Sequence, residues 1–150
     1  FVNDRFRSSI AIKLPKPKYF AWFTLIISGA GLAFIGVWPD YLFPIVWISP
    51  VLIVVSLQVI GDKEHIFSAL AVGNWTMIIS SSLAAFICGF FWEMWNYWSL
   101  TKWEYGIPLV HRFQIFEMPL LGYAGYLPFG LECALAGSIP DHILRDTPHK

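Results

Sequence analysis

Three glutamates fall within apolar stretches of the sequence: Glu93, Glu117 and Glu132. A carboxyl group surrounded by hydrocarbon is costly unless it is paired or used, so chemistry is sought there first. Glu93 lies in Phe90-Phe91-Trp92-Glu93-Met94-Trp95-Asn96-Tyr97-Trp98, and Glu117 in Ile115-Phe116-Glu117-Met118-Pro119. The segment between them carries Lys102, Glu104, His111 and Arg112. Two carboxyls that meet can serve as acid and base on one substrate. With His111 they also form a minimal oxygen and nitrogen donor set for a metal. No Glu-x-x-His pair of the di-iron bundle type is present, so no metal site is assigned. The plainer reading is a structural polar cluster of Glu93, Asn96, Arg112 and Glu117, with Lys102 as a second cation. Glu132 lies near the other end of its helix, where Arg145 or the backbone around Pro128 can satisfy it.

Other residue types restrict the chemistry further. His65, His111, His142 and His149 all fall in connections or tails. A haem held within a bilayer is commonly ligated by a histidine on a membrane helix. No directly ligated cofactor is therefore expected, although lipid, quinone or pigment can contact the aromatic surface. The chain has no nucleotide loop, serine elbow, zinc-protease helix or Cys-x-x-Cys pair. Cys88 and Cys133 are expected at depths that differ by roughly 12 Å at helical rise, too far for a disulfide. They read as small packing residues.

The elements that position these groups follow from composition. Of 150 residues, 57% are apolar and 13% charged. A soluble domain carries about 25% charged residues, and a small one cannot hide so much apolar surface. Lipid is the expected solvent. Ten basic residues balance ten acidic ones, so the clustered basic face of a nucleic-acid binder is not expected.

Apolar runs predict an all-α membrane protein, a bundle of four transmembrane helices kinked at prolines. Residues 1–18 form a basic cytoplasmic tail on the membrane surface, with anchoring to anionic lipid or a partner as the alternative. Spans follow at 19–38, 42–60, 75–98 and 115–139, and a tail at 140–150. A kink is expected near Pro50, and an interfacial turn over 66–72. Gly122, Gly125, Gly130, Gly137, Pro119 and Pro128 predict a bent or locally unwound fourth span. Eight Lys and Arg fall on one side and two on the other. Both termini are then cytoplasmic, in a multi-pass protein of the cell inner membrane.

On the third span Ser82, Phe86, Gly89, Glu93 and Asn96 recur at helical spacing, a stripe suited to a face turned into the bundle. Gly29 and Ala33, with Gly36 a turn further, have the small-xxx-small spacing that lets helices approach closely. Gly89, Gly122 and Gly125 are further packing candidates. Eight tryptophans and thirteen phenylalanines supply an interfacial belt and bundle packing.

The runs Trp92-Glu93-Met94-Trp95-Asn96-Tyr97-Trp98 and Ile115-Phe116-Glu117-Met118-Pro119-Leu120-Leu121-Gly122-Tyr123, the second continuing through Gly125-Tyr126-Leu127-Pro128-Phe129-Gly130-Leu131-Glu132, resemble a motif pair of a bacterial integral-membrane family without an established activity. The resemblance covers about residues 88–137. It implies a membrane bundle and no catalytic assignment. The small membrane lycopene cyclases carry a Pro-x-Glu-Glu/Asp run that this chain lacks.

Three functions from different classes follow as expectations. The first is a non-catalytic accessory subunit of a larger membrane complex, such as a photosynthetic or respiratory electron-transfer assembly, with other membrane subunits and lipids as partners and no nucleic acid. The second is a membrane-embedded enzyme using Glu93 and Glu117 on a lipid or isoprenoid. The third is a small transporter, for which the spans offer few polar residues.

Overall fold

The computed structural model describes residues 6–106 and 113–145, with side chains through 138. Helix α1 (Pro17–Phe34) is followed by α2 (Pro39–Val46) and α3 (Ser49–Ile60). A 3₁₀ turn over Ser68–Val72 leads into α4 (Thr76–Tyr97). Strands β1 (Gln114–Ile115) and β2 (Met118–Pro119), a 3₁₀ segment over Leu120–Gly125 and helix α5 (Tyr126–Arg145) complete the order. The described chain is mostly helical.

The helices pack as two pairs, α1 with α3 and α4 with α5, joined where α3 meets α5. The α4–α5 pair is antiparallel: Gly89 lies against Tyr126, and Ser81 against Gly130. The joint between the pairs is a small apolar cluster of Val51, Val55, Ile66 and Leu135, with Val54, Val59, Phe67 and Leu131 around it.

Helix α4 is the expected third span almost residue for residue. Its 22 residues extend about 33 Å at 1.5 Å per residue, and no proline interrupts them. Among the described residues it is the one helix long and apolar enough to cross a membrane. Only 11% of its apolar window is buried within the chain, whereas the core helix of a water-soluble domain would be mostly covered.

The other three spans depart from expectation. The run 42–60 is two helices, α2 and α3, bent by 55° at their junction, and they reach the membrane-crossing standard only if taken together. Pro50 explains the break, because it has no amide to bond back to the carbonyl of Val46 and its ring crowds that carbonyl. The first helix ends at Phe34, and Pro39 opens α2 instead of extending α1. In the fourth run, residues 115–125 are not α-helical. Phe116 sits at φ 57° in the turn of a hairpin that pairs Ile115 with Met118, and Pro119 withholds an amide from any helix passing through it. Among the described residues, four helices that each satisfy the length and hydropathy standard are therefore not found. Pro17-Lys18-Tyr19 at the head of α1, and Glu132 with the polar end of α5, dilute the apolar content of those two helices.

Residues 6–12, within the expected surface tail, are hydrogen-bonded to the turn that precedes α4. The Ser9 amide donates to the Gly73 carbonyl at 2.9 Å, the Ile12 amide to Leu70 at 2.9 Å, and the Trp75 amide to Phe6 at 2.9 Å. The Trp75 indole N–H donates to the Ile10 carbonyl at 2.8 Å. Gly73 makes this contact possible: its φ is +77°, and a Cβ there would lie 2.4 Å from the Ser9 carbonyl oxygen.

Candidate functional site

The polar stripe of α4 faces α5 and the two connections beside it. Gly89, Glu93 and Asn96 are the buried residues of this helix. The Ser82 hydroxyl donates to the Leu127 carbonyl at 3.1 Å, and the Phe86 ring meets Tyr123 at 6.1 Å between centroids. Glu93 is 0% exposed. Burying a carboxyl in this way requires hydrogen bonds, and two phenols supply them. The Tyr105 and Tyr126 hydroxyls each lie 2.6 Å from Oε1. Oε2 is buried with no partner.

Each phenol is positioned from below. Tyr126 opens α5, and its ring occupies the space left by Gly89, where a Cβ would come within 2.6 Å of the ring carbons. Gly89 stands four residues before Glu93, one turn along the same face, so the missing side chain and the carboxyl together form a slot for one phenol. Tyr105 is fixed by the α4–β1 connection. Asn96 clamps that connection from both sides: its Nδ2 donates to the Trp103 carbonyl at 2.9 Å, and its Oδ1 accepts from the Trp103 amide at 2.9 Å. The Trp103 indole N–H then donates to the Tyr105 hydroxyl oxygen at 2.6 Å. Burial, reinforced by the hydrogen bond to Glu93, pushes the Tyr105 phenol well above the ordinary tyrosine range.

Glu117 has a different environment. Its Oε1 accepts from Lys102 Nζ at 2.5 Å, and the same ammonium lies 5.6 Å from the centre of the Tyr97 ring. Phe116 meets Phe90 at 5.4 Å and Tyr97 at 5.8 Å. The hairpin turn thus closes over the C-terminal end of α4 with an ion pair at its tip. Tyr123, 2% exposed, ties this end together by donating to the Ile115 carbonyl at 3.1 Å.

The sequence-derived candidates therefore separate. Glu93 and Asn96 belong to one buried network, and Glu117 with Lys102 forms a more exposed pair. Among the described residues the hydrogen-bond partners of Glu93 are phenols, one from the connection and one from the head of α5. His111 and Arg112 lie outside the described residues. Among the described residues no group of three or more His, Cys, Asp or Glu could hold a metal ion, and Glu93 and Glu117 form no such group. Glu132 keeps Oε1 buried without a partner. Of the packing glycines, Gly89 is in intimate contact and Gly125 in ordinary contact with Trp47, while a Cβ on Gly29 would meet nothing within 4 Å. Gly122 is half-buried in the 3₁₀ segment.

Sequence reasoning missed Tyr105, Tyr126 and Trp103. A Gly-x-x-x-Glu spacing on an apolar helix was the one available signal for Tyr126. Tyr105 depends on a connection whose course no periodicity reveals. No family model, curated protein or solved structure matches this chain.

Proposed function

We propose that the chain is a multi-pass membrane protein that acts on a lipid or isoprenoid, with Glu93 as its proton-transferring group. The observation that carries this reading is the bare Oε2 of a fully buried carboxyl whose other oxygen accepts two phenols. Buried polar atoms that serve only the fold are almost always satisfied. A buried carboxyl oxygen without a hydrogen-bond partner is available to accept or donate a proton on an apolar substrate. Isomerisation or cyclisation fits best, since the proton removed at one atom is returned at another and no oxidant is required. Glu117 is held by Lys102 and is not the second half of an acid–base pair in this scheme.

Membrane embedding is supported by α4 and by large apolar side chains exposed on the remaining helices, among them Phe20, Trp22, Phe23, Ile26 and Ile27 of α1. In this reading α1, the bent α2–α3 run, α4 and α5 are the four crossings, with both termini cytoplasmic. The test is to express the chain and its Glu93→Gln variant at equal levels in one host and compare lipid and isoprenoid extracts by mass spectrometry. A species altered by the wild type and restored by Glu93→Gln is the expected result. Identical extracts from the empty host, the variant and the wild type would overturn the reading.

One observation favours the accessory-subunit alternative: Gly29 and Ala33 lie exposed on α1, away from the helices that α1 packs against. That face is free to receive a helix of another membrane subunit. Fixed-stoichiometry co-migration with a larger assembly on native electrophoresis, lost on Gly29→Leu, would support it.

A further inference from the structure

We propose that residues 10–16, which continue the hydrogen-bonded strap of residues 6–12 into the head of α1, form a platform for the headgroups of anionic phospholipids, with Lys13 and Lys16 as its cations. The proposal rests on the membrane reading above and adds a lipid class to one end of the bundle.

Three observations converge on this surface. First, its leading part is held in place: residues 6–12 are hydrogen-bonded to Leu70, Gly73 and Trp75, so docking a headgroup need order less of the chain. Second, the strap exposes apolar side chains where a tail in water would hide them. Ile10 is 81% exposed, and Ile12, Leu14 and Val72 are exposed beside it. Ile10, Ile12 and Leu14 stand at alternate positions, and in water their exposed side chains would be unpartnered. Third, the charges alternate with these anchors. Lys18 is committed to Asp62 at 2.5 Å, which also ties the head of α1 to the end of α3. Lys16 stands 5.8 Å from the Tyr19 ring centre, and Lys13 has no carboxylate partner among the described residues. Apolar anchors interleaved with ammonium groups at the head of an apolar helix match the boundary between acyl chains and phosphate. Charge selects an anionic headgroup, and the apolar anchors select a lipid over an acidic protein.

The experiment uses the full chain reconstituted in nanodiscs of phosphatidylcholine alone or doped with phosphatidylglycerol, and reads the thermal unfolding midpoint. Wild type is expected to unfold several degrees higher in the doped discs, with the increment shrinking as salt is raised. The double variant Lys13→Gln/Lys16→Gln should match wild type in phosphatidylcholine, showing that it folds, and lose most of the increment. Lys13→Arg/Lys16→Arg should retain it. An equal increment in the glutamine variant, or none in wild type, would overturn the platform while leaving the membrane reading intact. Failure of the chain to enter nanodiscs at all would overturn both.

Discussion

Three side chains converge on the hydrogen-bonding centre at the residue scale: one carboxyl and two phenols. Because both hydroxyls address the same oxygen of Glu93, removing either leaves the carboxyl under-solvated on the side where it is now satisfied. Tyr126→Phe and Tyr105→Phe are each expected to lower unfolding free energy by ~1.5–3 kcal/mol, the usual value of a hydrogen bond to an ionisable group, measured by denaturant titration in mild detergent. Their sum will not be additive, since they share one acceptor. Tyr105 also predicts an alkaline signature. Its neutral form is favoured in the fold, so the folded state keeps a proton that the unfolded state releases. That contribution is complete below the ordinary tyrosine pKa of about 10 and is lost as pH rises from there through the higher value of the folded state. Tyrosinate absorbance should therefore show one fewer late-titrating phenol in Tyr105→Phe than in wild type. A titration curve unchanged by that substitution would contradict the burial of Tyr105.

Among the elements, the α4–α5 pair is set by glycines, and the sequence ranked them incompletely. Cβ atoms on Gly89 and Gly130 would fall 2.6 Å from the Tyr126 ring and 2.3 Å from the Ser81 carbonyl oxygen. Gly89→Ala and Gly130→Ala should each destabilise by ~1–3 kcal/mol, as overpacking does. Gly130→Ala should be the harsher, because backbone cannot rotate aside as a ring can. Gly29→Ala should be neutral or gain up to ~1 kcal/mol of helix propensity, since its Cβ meets open space. Thermal unfolding of the three variants in one detergent checks the order. Helix α4 was legible because 22 uninterrupted residues carry a periodic stripe, and that stripe located Glu93 and Asn96 on the buried face. The bend at Pro50 was legible for the same local reason. The hairpin over 114–119 was not. Its turn depends on Phe116 at a positive φ, a conformation that phenylalanine does not signal, and its apolar residues read as helix by composition alone. The phenols over Glu93 were hidden likewise, since they reach it from an irregular connection and from the first residue of a helix that was expected to start eleven positions earlier.

For the whole molecule, the two antiparallel pairs leave most apolar side chains facing outward. That arrangement fits the proposed membrane setting, where lipid would cover the exposed hydrocarbon. The cysteines offer a simple check. Both are free and exposed, so in water both would react with a charged thiol reagent. In intact membranes Cys88, midway along α4, is expected to resist that reagent and to react with a lipid-soluble maleimide. Rapid labelling by the charged reagent would argue against α4 as a crossing helix. The central claim is that the bundle tolerates Glu93 for its chemistry and does not need it for its fold. The most direct measurement is the unfolding midpoint of Glu93→Gln beside wild type in the same lipid nanodiscs. A glutamine carbonyl can still accept both phenols, so Glu93→Gln is expected to unfold within about 2–4 °C of wild type, or above it, as is usual when a functional group is removed. A collapse of stability comparable to the loss of both tyrosines would contradict the account and make Glu93 a structural residue.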